Sequence, residues 1–118
     1  MAVYDESAKL FRTLMHPARL EILDTLRDGE HCVCHLEAAL GYRQAYISQQ
    51  LSVLREAGLV QDRRDGWNIF YHVIEPRVFD VIDAAQRPIG GAQKTQRRAV
   101  AAHNCSCPQC SPVGTAAA

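Results

Sequence analysis

No stretch of this 118-residue chain approaches the roughly 18 consecutive apolar residues that a bilayer crossing demands. The opening MAVYDESAKLF also lacks the basic and apolar regions of a signal peptide. A cytoplasmic protein with no membrane partner is therefore expected. Net charge is missing too: 13 Lys and Arg balance 13 Asp and Glu, leaving no global field to draw in phosphate. Any contact with nucleic acid must rest on local charge. No internal repeat is present. The spacing Cys107-x-x-Cys110 could suggest a thiol redox pair, but no βαβ unit surrounds it, so no enzymatic activity is expected.

What is present centres on residues 31–60. Apolar side chains fall at Val33, Leu36 and Leu40, then at Ile47, Leu51, Leu54 and Leu59, three and four residues apart. This spacing predicts two helices separated at Gly41, a helix-turn-helix. Its second helix, Gln44 to about Ala57, offers Gln44, Tyr46, Ser48, Gln49 and Gln50 to a partner, and amides and hydroxyls of this kind read base edges. Arg43 just before it is a phosphate contact.

Upstream, Ala8, Leu10, Phe11 and Leu14 predict a packing helix from Asp5, and Pro17 opens another, with Leu20, Ile22, Leu23 and Leu26 inward, that Asp28-Gly29 stops. Downstream, LVQDRRDGWNIFYHV predicts two short strands around an Asp65-Gly66 turn. A hairpin placed there is a wing. Arg63 and Arg64 near its tip either reach DNA phosphates or form a solvated face with Asp62 and Asp65. EPRVFDVIDAAQ predicts a last helix with Val78, Phe79, Ile82 and Ala85 on one side. A small domain of 47% apolar residues buries little by itself, so this side and the first helix are assigned to a homodimer interface. Residues 1–90 thus read as a dimeric winged helix-turn-helix, mainly α with a small β-hairpin, and residues 91–118 as a flexible cysteine-containing tail.

The five cysteines fall in two groups, Cys32-x-Cys34 and Cys105-x-Cys107-x-x-Cys110. In a reducing compartment this odd count suits metal or redox chemistry better than a disulfide frame. Residues two apart on a regular helix point about 200° apart. Cys32 and Cys34 can therefore share an ion only where the helix has not begun or has been pulled open. Ion capture and the helix start compete, and a coupling of about 1–3 kcal/mol would weaken DNA binding by roughly 5- to 150-fold. Soft thiolates select As(III), Sb(III), Cd, Pb, Cu(I) or Zn. Two helix sulfurs plus one from the tail suit pyramidal As(III), whereas four suit Cd or Zn. Other readings stay open: Cys32 and Cys34 as small buried hydrophobes, the tail as a separate zinc clip with His103, a redox or persulfide sensor switched by a helix-to-tail disulfide, or a cytosolic metal-binding protein with vestigial DNA affinity. His31 and His35 flank the thiols as spare ligands or as solvated surface residues.

The segments LMHPARLEILDTL, HCVCHLEAAL, ISQQLSVLREAGLV and RRDGWNIFYHV, in this order, resemble the arsenic-repressor (ArsR/SmtB) family of winged-helix, metal-responsive repressors over residues 8–86. The resemblance implies a homodimer that occupies its own double-stranded operator without metal and leaves it when a thiophilic ion binds. It favours As(III) or Sb(III), then Cd and Pb. Cys32 and Cys34 match the first two positions of the family's thiolate motif, while the third cysteine of the arsenic-sensing form is Glu37 here. Two-thiol relatives complete the site from a terminal segment, and with no cysteine before Cys32 the candidates are Cys105, Cys107 and Cys110. The family's zinc site on the last helix is expected to be absent, since Asp80 and Asp83 stand there without a histidine. The recognition helix has Arg43 where a Ser or Thr cap is usual and Gln50 where histidine is common.

Overall fold

The computed structural model describes residues 2–87. The expected tail, with Cys105, Cys107 and Cys110, lies outside the described residues. Within them the helices start and stop on local signals. α1 (Ala2–Leu14) opens ahead of Asp5, and α2 (Pro17–Thr25) starts on Pro17, whose missing N–H is harmless at a first helical position. His16 before it is extended, as a residue preceding proline prefers. A single 3-10 turn, Leu26–Asp28, carries the chain out of α2. α3 (Val33–Leu40) ends at Gly41, whose φ of 80° lets its N–H turn back to the Glu37 carbonyl at 2.9 Å. α4 (Gln44–Glu56) and α5 (Arg77–Gln86) complete the helices.

Three antiparallel strands, β1 (His31–Cys32), β2 (Val60–Asp65) and β3 (Asn68–Val73), lie in the order β1-β3-β2. The wing is thus a hairpin with an added strand. β1 is too short to show any alternation, and it forms because β3 has an edge to offer: His31 pairs with Tyr71 and Cys32 with Phe70. β2 and β3 pair from Val60–Val73 to Asp65–Asn68, which leaves Gly66 and Trp67 as a two-residue loop. The turn therefore sits one residue beyond the Asp65-Gly66 pair. Gly66, with φ 63°, takes the first loop position, where a type II′ hairpin turn demands a positive φ.

The core is built from Ile22 and Leu23 of α2, Leu36 of α3, Ile47, Leu51 and Leu54 of α4, and Val78 and Ile82 of α5, closed at the sheet by Leu59 and Val60. Arg27 fastens α5 to this core. Its guanidinium donates to both carboxylate oxygens of Asp83 at 2.8 and 3.0 Å and to Asp24 at 2.9 Å, and lies 4.6 Å from the centre of the Phe79 ring. Asp83 is thereby engaged in holding its own helix. α1 is the least covered helix: Leu14 is its buried residue, while Val3, Tyr4 and Phe11 are exposed, as is Met15 just beyond.

Because Leu51 has no exposed surface, Leu51→Ala should cost about 2–5 kcal/mol. Urea unfolding followed by circular dichroism would read this as a lower midpoint. An unchanged midpoint would mean that this face of α4 is not in the core.

Candidate nucleic-acid interface and thiol site

Ile47, Leu51 and Leu54 turn one face of α4 inward. Gln44, Tyr46, Ser48 and Gln49 are consequently exposed on the other, with Tyr46 tilted against Tyr42 at a ring separation of 5.2 Å. Gln50 departs from the expected set of base contacts. It is only 7% exposed, and its Oε1 accepts the Arg19 Nε–H at 2.8 Å while Arg19 Nη1 donates to the Thr13 carbonyl at 3.1 Å. Gln50 ties α4 to the α1–α2 corner instead of facing a groove. Its position carried the signal: three residues after Ile47 and four before Leu54, it belongs to the inward stripe, where a polar group needs a partner.

Arg43 stands at the N-cap of α4, extended and exposed, with no side-chain cap bond. A helix start of this kind presents N–H groups to an anion. In the turn before it, the Tyr42 hydroxyl donates to Glu21 Oε1 at 2.6 Å and pins the turn to α2. That bond, with burial adding to it, pushes the Tyr42 pKa up to about 12.

On the wing, the two arginines differ. Arg63 donates to Glu30 through Nε at 3.0 Å and through Nη2, and lies 4.9 Å from the centre of the Phe70 ring. Its carboxylate partner is therefore across the sheet at β1, and not Asp62 or Asp65. Asp62 pairs with Arg55 of α4 at 3.7 Å. Arg64 is exposed and makes no ion pair with any described residue.

Cys32 ends β1 and begins α3. With φ −84° and ψ 167° it is the N-cap residue, and its Sγ accepts the His35 N–H at 3.4 Å. Cys34 lies in the first turn of α3. Cys32 is thus outside the helix already, which meets the condition set by the 200° divergence without any unwinding. It is also 6% exposed, so the buried-hydrophobe role and the ligand position coincide in one residue. Cys32, Phe70 and Cys34 form a small cluster of their own. Side chains alternate along β3, so Phe70 faces away from Tyr71 and Val73, which pack on the main core. The His31 ring stacks on His35 at 3.9 Å and 7°. Burial holds the His31 pKa below its ordinary value against the opposing pull of Asp28 and Glu30, and among the described residues its Nδ1 has no hydrogen-bond partner. Among the described residues, no three His, Cys, Asp or Glu side chains are grouped to hold a metal. The candidate ligands Cys105, Cys107 and Cys110 lie outside the described residues.

Comparison with known proteins bears on this arrangement. Residues 16–62 match the model of the "Bacterial regulatory protein, arsR family". The biofilm growth-associated repressor of Agrobacterium fabrum is 51% identical over 79 residues, 67% of this chain and 68% of that protein. The homodimeric winged helix-turn-helix DNA-binding domain of Mb0332 from Mycobacterium bovis superposes with a TM-score of 0.64 at 32% identity, covering 72% of this chain and 79% of that one. The antimony-specific transcriptional repressor AntR gives a TM-score of 0.67 at 32% identity, covering 72% and 78%.

Two outcomes test the site's construction. Gln50→Ala removes the acceptor of a half-buried guanidinium and should cost about 1–3 kcal/mol of stability, whereas exposed Gln49→Ala should stay within about 0.5 kcal/mol; equal costs would contradict the assignment of Gln50 to the interior. For Tyr42, whose folded pKa is raised, the stabilisation is whole below pH 10 and is lost as pH climbs towards 12. Tyrosinate absorbance should show one of the four tyrosines ionising late, and Glu21→Ala should bring it back towards the ordinary value of about 10. A titration that Glu21→Ala leaves unaltered would rule out the Glu21 clamp.

Proposed function

The chain belongs to the arsR family of bacterial regulatory proteins, and from that premise we propose that it is a cytoplasmic transcriptional repressor that holds double-stranded operator DNA as a homodimer. It lets go when As(III) or Sb(III), with Cd, Pb and Zn behind them, binds Cys32, Cys34 and at least one of Cys105, Cys107 and Cys110. The observation that carries this reading is the position of Cys32. One sulfur caps the first helix of the helix-turn-helix and sits cross-strand from Phe70 of the wing.

The donor set fits a soft ion, since both thiols belong to one cluster and Cys32 stands outside the helix. Two sulfurs do not complete a three-coordinate sphere, hence the assignment of a third to the tail. When bound, the ion supplies a soft acid that keeps its thiolates deprotonated. To share it, either Cys32 turns its sulfur away from the His35 N–H or the first turn of α3 opens around Cys34. Loss of an N-cap costs a helix about 0.5–2 kcal/mol. Leu36 on that helix is packed in the same core as Ile47 and Leu51 of α4, so a loosened α3 loses hold of the helix that reads DNA. The name of AntR, an antimony-specific repressor, supports a metalloid inducer.

On DNA, Gln44, Tyr46, Ser48 and Gln49 meet base edges, and Arg43 and Arg64 meet phosphates. Arg63 reaches a phosphate only by leaving Glu30. The exposed Val3, Tyr4 and Phe11 of α1 are the surface for the second copy, whereas Val78 and Ile82 of α5, expected to face a partner, are spent in the chain's own core. The homodimeric state of the Mycobacterium bovis neighbour supports that pairing.

The test is fluorescence anisotropy of a labelled duplex spanning the promoter of the chain's own gene, titrated with the full-length protein, Cys32→Ser, Cys34→Ser and a version ending at Gly91. Arsenite should weaken binding roughly 5- to 150-fold for the wild type and leave the serine variants bound. Release of both serine variants by arsenite would end the thiol reading. Unchanged release of the shortened chain would exclude the tail ligands. Release by peroxide without metal would move the assignment to a redox sensor.

A further inference from the structure

Trp67 is the chain's single tryptophan, and it stands 100% exposed at the tip of the wing. The turn does not call for it. Gly66 meets the conformational demand at the first loop position, and the second position imposes no aromatic. An indole can bury about 150–250 Å² of surface, and here all of that potential is directed at something outside the described fold.

The charges around it narrow the partner. Asp62, Arg63, Arg64 and Asp65 sum to zero, Arg63 is paired with Glu30 and Asp62 with Arg55. Only Arg64 remains to attract phosphate, beside Asp65. If the wing holds DNA, Coulomb attraction supplies little of the holding, and the indole is the group with most to gain. Its backbone is held, because the loop is just two residues long between the paired Asp65 and Asn68. Contact then orders the side chain's own two torsions and little of the backbone. A hairpin tip with one flat ring matches the minor groove, about 6 Å wide, which excludes a helix.

We propose that Trp67 is an apolar DNA contact, its indole seated in the minor groove beside the segment read by α4, where it pries at a base step. This rests on the operator-binding reading above and deepens it. Apolar wedges of this kind partly unstack a step and bend the duplex. The wing thus selects for deformability, favouring flexible pyrimidine–purine steps under the ring. Its share of affinity is also insensitive to salt, unlike that of Arg64.

The experiment uses the full chain and the labelled promoter duplex, recording duplex anisotropy and tryptophan emission in one titration. With one tryptophan in the chain, tryptophan emission reports on Trp67 alone. It should be quenched in step with anisotropy and saturate at the same ratio. Trp67→Ala should bind roughly tenfold more weakly, the scale of one aromatic contact with nucleic acid, with the slope of log affinity against log salt unchanged. Trp67→Phe should recover most of the loss, whereas Arg64→Ala should flatten the salt slope by about 0.9. Emission that stays constant while anisotropy saturates overturns the proposal, as does wild-type affinity for Trp67→Ala. An emission maximum that shifts as protein concentration rises without DNA, and is unmoved by adding it, assigns Trp67 to a contact between copies and also overturns it. Absence of any anisotropy change removes the operator-binding reading itself, and the wedge with it.

Discussion

The Sγ of Cys32 accepts the His35 N–H at 3.4 Å, at the point where strand becomes helix. A helix start carries N–H groups with no partner inside the helix, and here a thiol takes the place usually given to a hydroxyl or carboxylate. Thiols are weak acceptors and strong ligands for soft ions. The choice of cap therefore makes the start of α3 conditional on what else is near that sulfur. Cys32 is held in place by strand pairing with Phe70, and Phe70 lies under Arg63, which Glu30 holds. Helix-turn-helix and wing meet in a cluster of a few side chains. The wing is reached there without the main core, whereas α4 is reached through Leu36 within it.

On the proposed reading, the groups that face outward divide the work of binding DNA. α4 gives amides, a hydroxyl and Tyr46, its uncapped start and Arg43 give an anion site, and the wing gives Arg64 and the indole of Trp67. Near neutrality of the whole chain means that affinity is assembled from such local contacts, not from a field. Rigid placement then matters more than charge. Tyr42 on Glu21 and Gln50 on Arg19 orient α4 from behind, one at its start and one at mid-helix, and Arg55 ties its last turn to Asp62 of β2.

Much of this was legible in the sequence. The apolar steps of α2, α3 and α4 mark the buried stripes, Pro17 and Gly41 mark ends, and the arsR family likeness follows from segments in order. What was not legible came from pairings across the fold. β1 is two residues long and owes its existence to the open edge of β3, so no local pattern announces it. Glu30 and Arg63 are distant in sequence, and nothing local ranks Glu30 above the adjacent Asp62 as a partner. Gln50 differs for another reason: its amide chemistry suggests a base contact, whereas its phase on the helix puts it inside. Trp67 reads in the sequence as an ordinary turn residue, and only the structure shows its indole fully exposed among the described residues.

Competition for the Cys32 sulfur is most directly measured by amide hydrogen exchange, residue by residue, with and without arsenite on the full-length protein. The amide of His35 and its neighbours in the first turn of α3 should lose protection once arsenite is bound, while Leu54 in α4 and Tyr71 in β3 keep theirs. Arsenite bound to the thiols with the His35 amide as protected as before would contradict the account.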